Sequence, residues 1–480
     1  MRSLTHVGFV ALLLMAWALG AASPAIADEA APEPAAQTAS PRPRLTREPR
    51  GRELLVLELE ELPGFTQNPR DIRQQLLESA RTGAYARATP FPGAIARWEG
   101  FKAHLSRCYG LDFGLFHSSL GYVSTGTVPG GLQASAAGVF GFIGTWELVG
   151  RGTSMPGGLG WQIRDVHPYG ASSPFLFGLE IGSVYPAAVL YGPEYRLYPT
   201  VLYWEQQLIV DRLAFRFGRQ EALGVHDTLS VKSPLDGFNK FGIAVNPTVP
   251  WNPSGFSFTA HARPTTDTYI LVGVYDGNGF FDVWGWDSFW DTAEYVKIAE
   301  LGFDRGVLCP KHRPVCIGPV KLLDAHVLAW HADRRPGQGL AEGWGITATA
   351  EGEIGRFRPF LRWGMGRGVD GPAPVTIQDW AAAGVSIKGI GRWKDDVVGV
   401  ALGWGGIRSD SRSATGRSWQ GSGELFWRMQ VFEGFQVTPS VQLIANPANN
   451  AREDVLVLFG LRTRIDFELG RSHCGREDMR

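Results

Sequence analysis

From Asp454 to Phe467, apolar and polar residues alternate for fourteen positions without a turn signal. Val455, Val457, Phe459, Leu461, Ile465 and Phe467 share one face, while Asp454, Gly460, Arg462, Arg464 and Asp466 share the other. Successive side chains of a strand point to opposite faces, so this segment has one greasy and one charged surface. Extended, it spans about 45 Å. A tilted strand needs only ~9–11 residues to cross a bilayer.

The same period recurs upstream. Leu213, Phe215 and Phe217 alternate with Ala214, Arg216 and Gly218; Phe256, Phe258, Ala260 and Ala262 alternate with Ser257, Thr259, His261 and Arg263. Trp344, Ile346, Ala348 and Ala350 oppose Thr347, Thr349 and Glu351, and Phe357, Leu361, Trp363 and Met365 oppose Arg358 and Arg362. A hairpin is legible as Leu425, Trp427, Met429 and Val431 against Glu424, Arg428 and Gln430. It turns at Phe432-Glu433-Gly434 and returns through Phe435, Val437, Val441 and Leu443.

Roughly sixteen such segments run from Gly110 to Phe467, the least regular around Pro174 to Tyr185. Tight turns alternate with long loops at Glu221–Ser254, Gly277–Glu294, Gly306–Val320 and Ser409–Arg417. Membrane barrels have that asymmetry, and soluble sandwiches with their short strands do not. The pattern predicts an all-β fold, a transmembrane antiparallel β-barrel of about sixteen strands with a short N-terminal helical or disordered extension.

Composition agrees. Charged residues are 19% of 480, aromatics 12% and glycine 61 residues, with a mean hydropathy of −0.08. A helical membrane protein would be far more apolar. With 46 basic against 47 acidic residues, nothing points to nucleic acid. Arg2, the apolar run Val7 to Leu19 and Ala25-Ile26-Ala27 predict an export signal over 1–27. Residues 28–50, rich in Ala and Pro, predict a disordered tether. Within 51–94, Asn68 as N-cap and Pro69 at the first turn predict a helix through Ala80, in a periplasmic segment or a plug inside the barrel. The barrel is expected over 95–467, with 468–480 as a C-terminal extension.

Export would expose the cysteines to an oxidising compartment. A disulfide between Cys309 and Cys316 is the favoured expectation for the loop they bracket. A zinc site with His312 fits no standard spacing, so no metal is expected, and Cys108 and Cys474 have no evident role. No nucleophile elbow, zinc helix or phosphate loop is present, and Ser118 beside His117 does not make a catalytic pair. Neither an enzyme nor a cofactor is expected.

Several segments resemble the carbohydrate-selective porins of the OprB type: Trp98-Glu-Gly100, Leu105, Gly110-Leu-Asp-Phe113 and Gly130-Gly131. The resemblance returns at Tyr203-Trp-Glu-Gln206, Asp211-Arg-Leu-Ala-Phe-Arg-Phe-Gly218, Tyr275-Asp276 and Glu300-Leu-Gly302. It is most specific at Thr438–Pro447 and Val455–Arg462, and covers about 95–467. It implies a sixteen-stranded barrel in the Gram-negative outer membrane that passes sugars by diffusion. The thirteen residues after Phe467 depart from the usual aromatic terminus.

A sugar pore needs polar groups that replace water on hydroxyls and aromatic faces for the ring's C–H surface, with binding weak enough to release the solute. Arg216, Arg358, Arg362, Glu424, Arg428, Arg462 and Arg464 on polar faces are expected to line the wall. Arg219 and Glu205, from the family-like segments, are expected at the narrow region. Glu205 shares parity with Tyr203, which would turn it to lipid unless a bulge intervenes. Trp284, Trp286 and Trp290 form either a sugar-stacking platform on an inward loop or interface anchors. The partners expected are sugars and outer-membrane lipid, with a homo-oligomer left open. The alternatives are a general or organic-acid porin, or a non-transporting exported sugar-binding or adhesin protein.

Overall fold

The computed structural model describes residues 92–467 except 210–211, 266, 281–283, 304–320, 369–376, 391–392, 409–414 and 433, together with Ile72 and Gln75. Among them, helix α1 (Pro92–Tyr109) precedes β1 (Leu111–Ser124), β2 (Ala134–Val149) and β3 (Gly157–Pro168). Then come α2 (Phe177–Glu180), β4 (Tyr195–Ile209), β5 (Leu213–Gln220), α3 (Phe241–Ala244), β6 (Gly255–Ala262) and β7 (Thr268–Asp276). Next are α4 (Trp286–Asp291), β8 (Tyr295–Phe303), β9 (Lys321–Ala332), β10 (Gly343–Glu353) and β11 (Phe357–Arg367). The last five are β12 (Ile377–Ile390), β13 (Trp393–Ile407), β14 (Trp419–Phe432), β15 (Phe435–Ala445) and β16 (Val455–Asp466).

The strands pair antiparallel with their neighbours in order, and β16 closes on β1, from Phe116 opposite Asp466 to Ser124 opposite Leu458. Closure leaves no sheet edge, the condition for a sheet to stand in lipid. No described helix is long and apolar enough to cross a membrane. The faces sort as the period requires: Phe459, Leu461, Leu402, Leu425 and Leu301 are exposed outside, while Arg462, Arg464, Glu424 and Arg362 are buried inside. The hairpin expected there is present: β14 ends at Phe432, which pairs opposite Phe435 at the start of β15.

Two differences from the sequence expectation matter. α1 is a helix of 18 residues where no helix was expected. It lies beside the closing seam: Trp98 Nε1 donates to the Phe467 carbonyl at 2.9 Å, and its ring meets Phe113 edge-on at 5.8 Å. The irregular stretch around Pro174 to Tyr185 is not a strand but part of the β3–β4 connection, which carries α2. Residues 221–254 between β5 and β6 are almost wholly buried, and about half of the β3–β4 connection is buried, with Leu176 and Leu179 exposed. They fold into the barrel and supply its core.

Candidate functional site

The lumen is built by the wall's polar row meeting the inward segment 221–254. Asp227 is its main latch. Its carboxylate takes an ion pair from Arg362 on β11, a hydrogen bond from Thr349 on β10 at 3.1 Å, and contacts His326 on β9 at 3.3 Å. Its own N–H donates to Glu300 on β8 at 2.7 Å. Arg362 also donates to the Ile243 carbonyl at 2.8 Å, and its guanidinium lies 5.4 Å over Trp380. Asp236 forms the second latch, paired with Arg464 and, at 3.7 Å, with Arg428. Arg462 donates to the Pro234 and Gly237 carbonyls, and Glu424 accepts the N–H groups of Asn239 and Lys240 at 2.9 and 2.8 Å.

Burial alone would push both loop carboxyls up. For Asp227 the Arg362 guanidinium and His326 outweigh it, and for Asp236 the Arg464, Arg428 and Arg462 charges do; each carboxyl sits below the usual carboxylate range. Lys240 is the opposite case. It is fully buried, its ammonium has no hydrogen-bond partner among the described residues, and its nearest support is the face of Tyr185 at 5.7 Å. Burial pushes it down to about 7, with only Glu424 pulling the other way.

A lysine depressed in this way makes the unfolded chain bind more protons than the folded one, so stability rises with pH from about 7 to the free value near 10.4. Lys240→Met is therefore expected to raise the melting temperature at pH 7, with its advantage over wild type shrinking as pH approaches 10. Melting followed by heat-modifiable gel migration at several pH values checks this. An advantage that stays constant or grows with pH would refute it.

The β3–β4 connection seats by similar means. Tyr191 and Ser118 share a hydrogen bond at 2.7 Å, Gln442 donates to the Ala187 carbonyl at 3.2 Å, and Gln420 accepts the Val184 N–H at 3.1 Å. Tyr185 stacks on Phe241 at 6.4 Å, joining the two inward segments. The wall is thinned to receive them. A Cβ at Gly399 on β13 would collide with Phe426 and approach Phe238 to 3.0 Å, so glycine is what admits the Phe238 ring there.

Near β4 and β5, Arg216 donates to Glu205 at 2.8 Å and lies 4.3 Å over the Tyr203 ring. Arg219 donates to the Phe280 carbonyl and lies 5.1 Å over Tyr198. Arg164 on β3 pairs with Glu221. A cavity of about 20 Å³, room for one water, is lined by Gln162, Tyr203, Arg216, Gln220 and Glu221, with Ile72 against it. Ile72 and Gln75 are helical and buried, and Gln162 donates to Gln75 at 3.5 Å. The rest of the expected 68–80 helix lies outside the described residues.

All nine expected charged residues face inward or join inward pairs. The parity argument that turned Glu205 to lipid is corrected: Tyr203, Glu205 and Gln207 are buried inside, and Leu202 and Leu208 are exposed outside. Tyr203 is a lumen residue, not a girdle residue, so Glu205 needs no bulge. Arg358 is the most peripheral of the set, half-buried and paired with Glu353 at 3.0 Å. Trp286 and Trp290 are not in the lumen, and Trp284 lies 6.1 Å from the Tyr198 ring. Trp286 and Trp290 pack on the outer-facing rings of Phe256 and Phe258, with all three tryptophans about half exposed, as interface anchors would be. Ser118 faces inward and His117 outward. Cys309, Cys316 and Cys474 lie outside the described residues, and Cys108 is free and exposed.

The sequence expectation omitted Asp227, Asp236, Lys240, Gln162 and Arg164. The available signal was an excess of arginine on the wall's polar rows, which requires acids from elsewhere, and the long loop 221–254 holds three, Glu221, Asp227 and Asp236.

Residues 328–467 match the family model described as carbohydrate-selective porin, OprB family. No curated protein matches the chain. The high-pH structure of Pseudomonas putida OprB aligns with a TM-score of 0.60 at 13% identity, covering 77% of this chain and 97% of that one. At that identity the likeness establishes the fold. The low-pH structure of the same protein aligns at 0.44 with 14% identity over 80% and 100% of the two chains. OmpT of Vibrio cholerae aligns at 0.43 with 10% identity over 74% and 97%. The C-terminal part of the chain, residues 328–467, is thus similar to the carbohydrate-selective OprB porins, and the described chain as a whole has the fold of a closed sixteen-stranded porin barrel.

Proposed function

We propose that the solutes this barrel passes are neutral sugars, selected in a narrow region around Arg216, Glu205, Tyr203, Gln162 and Arg219. The observation that carries this is the pairing of the lumen arginines. Arg216, Arg362, Arg464, Arg358 and Arg164 each meet a carboxylate, namely Glu205, Asp227, Asp236 with Asp466, Glu353 and Glu221. A wall of paired charges offers many hydrogen-bond donors and acceptors with little net field. It suits hydroxyl-rich neutral solutes better than organic anions, which need uncompensated positive charge. Guanidinium and phenol faces stacked at Arg216–Tyr203 and Arg219–Tyr198 add flat surfaces for a sugar ring. Buried Ile72 and Gln75 favour the plug over the periplasmic placement for part of residues 51–94. Transport by diffusion requires no catalytic group and no cofactor.

Liposomes carrying the purified protein test this. Glucose is expected to enter fastest, a disaccharide more slowly, and a monovalent sugar acid of glucose's size more slowly than glucose itself. Faster entry of the acid would favour the organic-acid alternative, and no entry of any solute would end the transport reading.

A further inference from the structure

Around most of the barrel the outward rows are apolar, and outward charges such as Lys297, His331, Arg367 and Asp379 stand near strand ends. The sector β1–β3 differs. His117 and Ser119 face outward on β1, and on β3 the outward row runs from Trp161 and Ile163 into Asp165 and His167. The register places Ser119, Gly138 and His167 side by side across β1, β2 and β3. Tyr169 is the next residue after β3 ends at Pro168, so the cluster stands toward the end of the wall that carries the long β3–β4 connection.

Two imidazole nitrogens converge there. His117 Nε2 lies 3.5 Å from His167 Nε2, with the ring planes within 26° of each other. His167 Nδ1 lies 2.7 Å from the Asp165 carboxylate. A carboxylate only accepts, so Nδ1 carries the proton and the neutral ring presents its Nε2 lone pair on the side of His117. An acid paired with a histidine in this way fixes the tautomer and orientation of metal-binding imidazoles. At 3.5 Å the two nitrogens stand beyond the ~2.7–3.2 Å of ordinary hydrogen bonds. Two nitrogens held by one ion at about 2.0–2.1 Å, at a tetrahedral angle, stand about 3.3–3.4 Å apart.

Room and access are present as well. A Cβ at Gly138 would collide with both His167 Nε2 and the Tyr169 hydroxyl, so both atoms border one small volume that glycine leaves open. The Tyr169 hydroxyl shares a hydrogen bond of 2.7 Å with Ser119. A depression of about 550 Å³ in the outer wall, lined by Tyr169, Gly121, Ala134 and Ala136, opens beside the cluster and gives an ion and its waters a way in. Among the described residues no set of three His, Cys, Asp or Glu ligands is present, so the remaining positions fall to the Tyr169 hydroxyl and water. Imidazole suits zinc and copper, whereas magnesium and calcium take oxygen ligands. Hydrocarbon offers these imidazoles no partner, and an ion would use both lone pairs.

We propose that His117 and His167 bind one divalent transition-metal ion, zinc or copper, on the outer wall of the barrel. Asp165 positions His167, and the ion clamps β1 to β3 across β2.

The test uses the full-length protein purified without a polyhistidine tag. It is equilibrated with Zn²⁺ or Cu²⁺, and the metal retained after removal of free ion is counted by mass spectrometry. Wild type is expected to hold one equivalent more than His117→Leu or His167→Leu. Leucine suits an outward strand position, so both variants should keep heat-modifiable migration. Asp165→Asn keeps both imidazoles and is expected to weaken binding about 10–100-fold without abolishing it. An ion that binds only the folded wall stabilises it, so added Zn²⁺ should raise the melting temperature of wild type and of neither histidine variant. No uptake by wild type would overturn the proposal. Equal uptake and an equal melting shift in wild type and both histidine variants would do the same.

Discussion

Replacing Asp227 with alanine should loosen the lumen more than any other single change. It strands the Arg362 guanidinium, fully buried on β11, and removes the acceptor for Thr349 and the contact to His326. Removing one partner of a buried pair leaves an uncompensated charge and costs about 3–5 kcal/mol. Most of that is lost locally, because the inward segment is released at its main latch. Disaccharide entry into liposomes should rise more than glucose entry, since a wider path relieves the larger solute most. Melting and both swelling rates unchanged from wild type would show that Asp227 is not a latch. The same pair predicts a flat pH response. A carboxyl held below its free value of about 3.9 contributes stability above that value and loses it only as pH falls through the lower folded value. Swelling rates between pH 5 and 8 should therefore show no step from either Asp227 or Asp236.

The second large effect is expected from Glu424→Leu. Leucine leaves the N–H groups of Asn239 and Lys240 buried without an acceptor, at about 1–3 kcal/mol each. It also removes the negative charge nearest the Lys240 ammonium, which is already disfavoured by burial. Glu424→Gln keeps an acceptor oxygen and should lose less than half as much stability. Equal losses for the two variants would mean that side-chain volume, rather than the two hydrogen bonds, holds the segment there.

How far the sequence reveals this molecule differs by element. β16 is legible because one face meets lipid and the other meets charge, so a period of two is enforced along its length. β4 misleads, because Tyr203 and Glu205 share a face on which an aromatic is as useful as an acid; ring and carboxylate both hold Arg216. Helix α1 is hidden for another reason. Phe101 and Tyr109 are exposed and only scattered residues are buried, so it lacks a one-sided apolar stripe. The inward segments are the hardest to see. Asp227 and Asp236 sit in a stretch with no regular period, and their partners lie on strands distant in sequence. Local rules describe neighbours along the chain, whereas this site is assembled across the barrel.

That distance has a temporal consequence. Arg362 follows Asp227 by 135 residues, and Arg464 follows Asp236 by 228. The segment between β5 and β6 is synthesised early, but its last anchors arrive with the final strand. Contacts of such separation form late, because the intervening chain must first be ordered. Until β16 reaches β1, residues 221–254 have no complete wall to grip and are open to a protease. Protection of that segment during assembly would thus act as a clock, running out when the ring of strands is sealed.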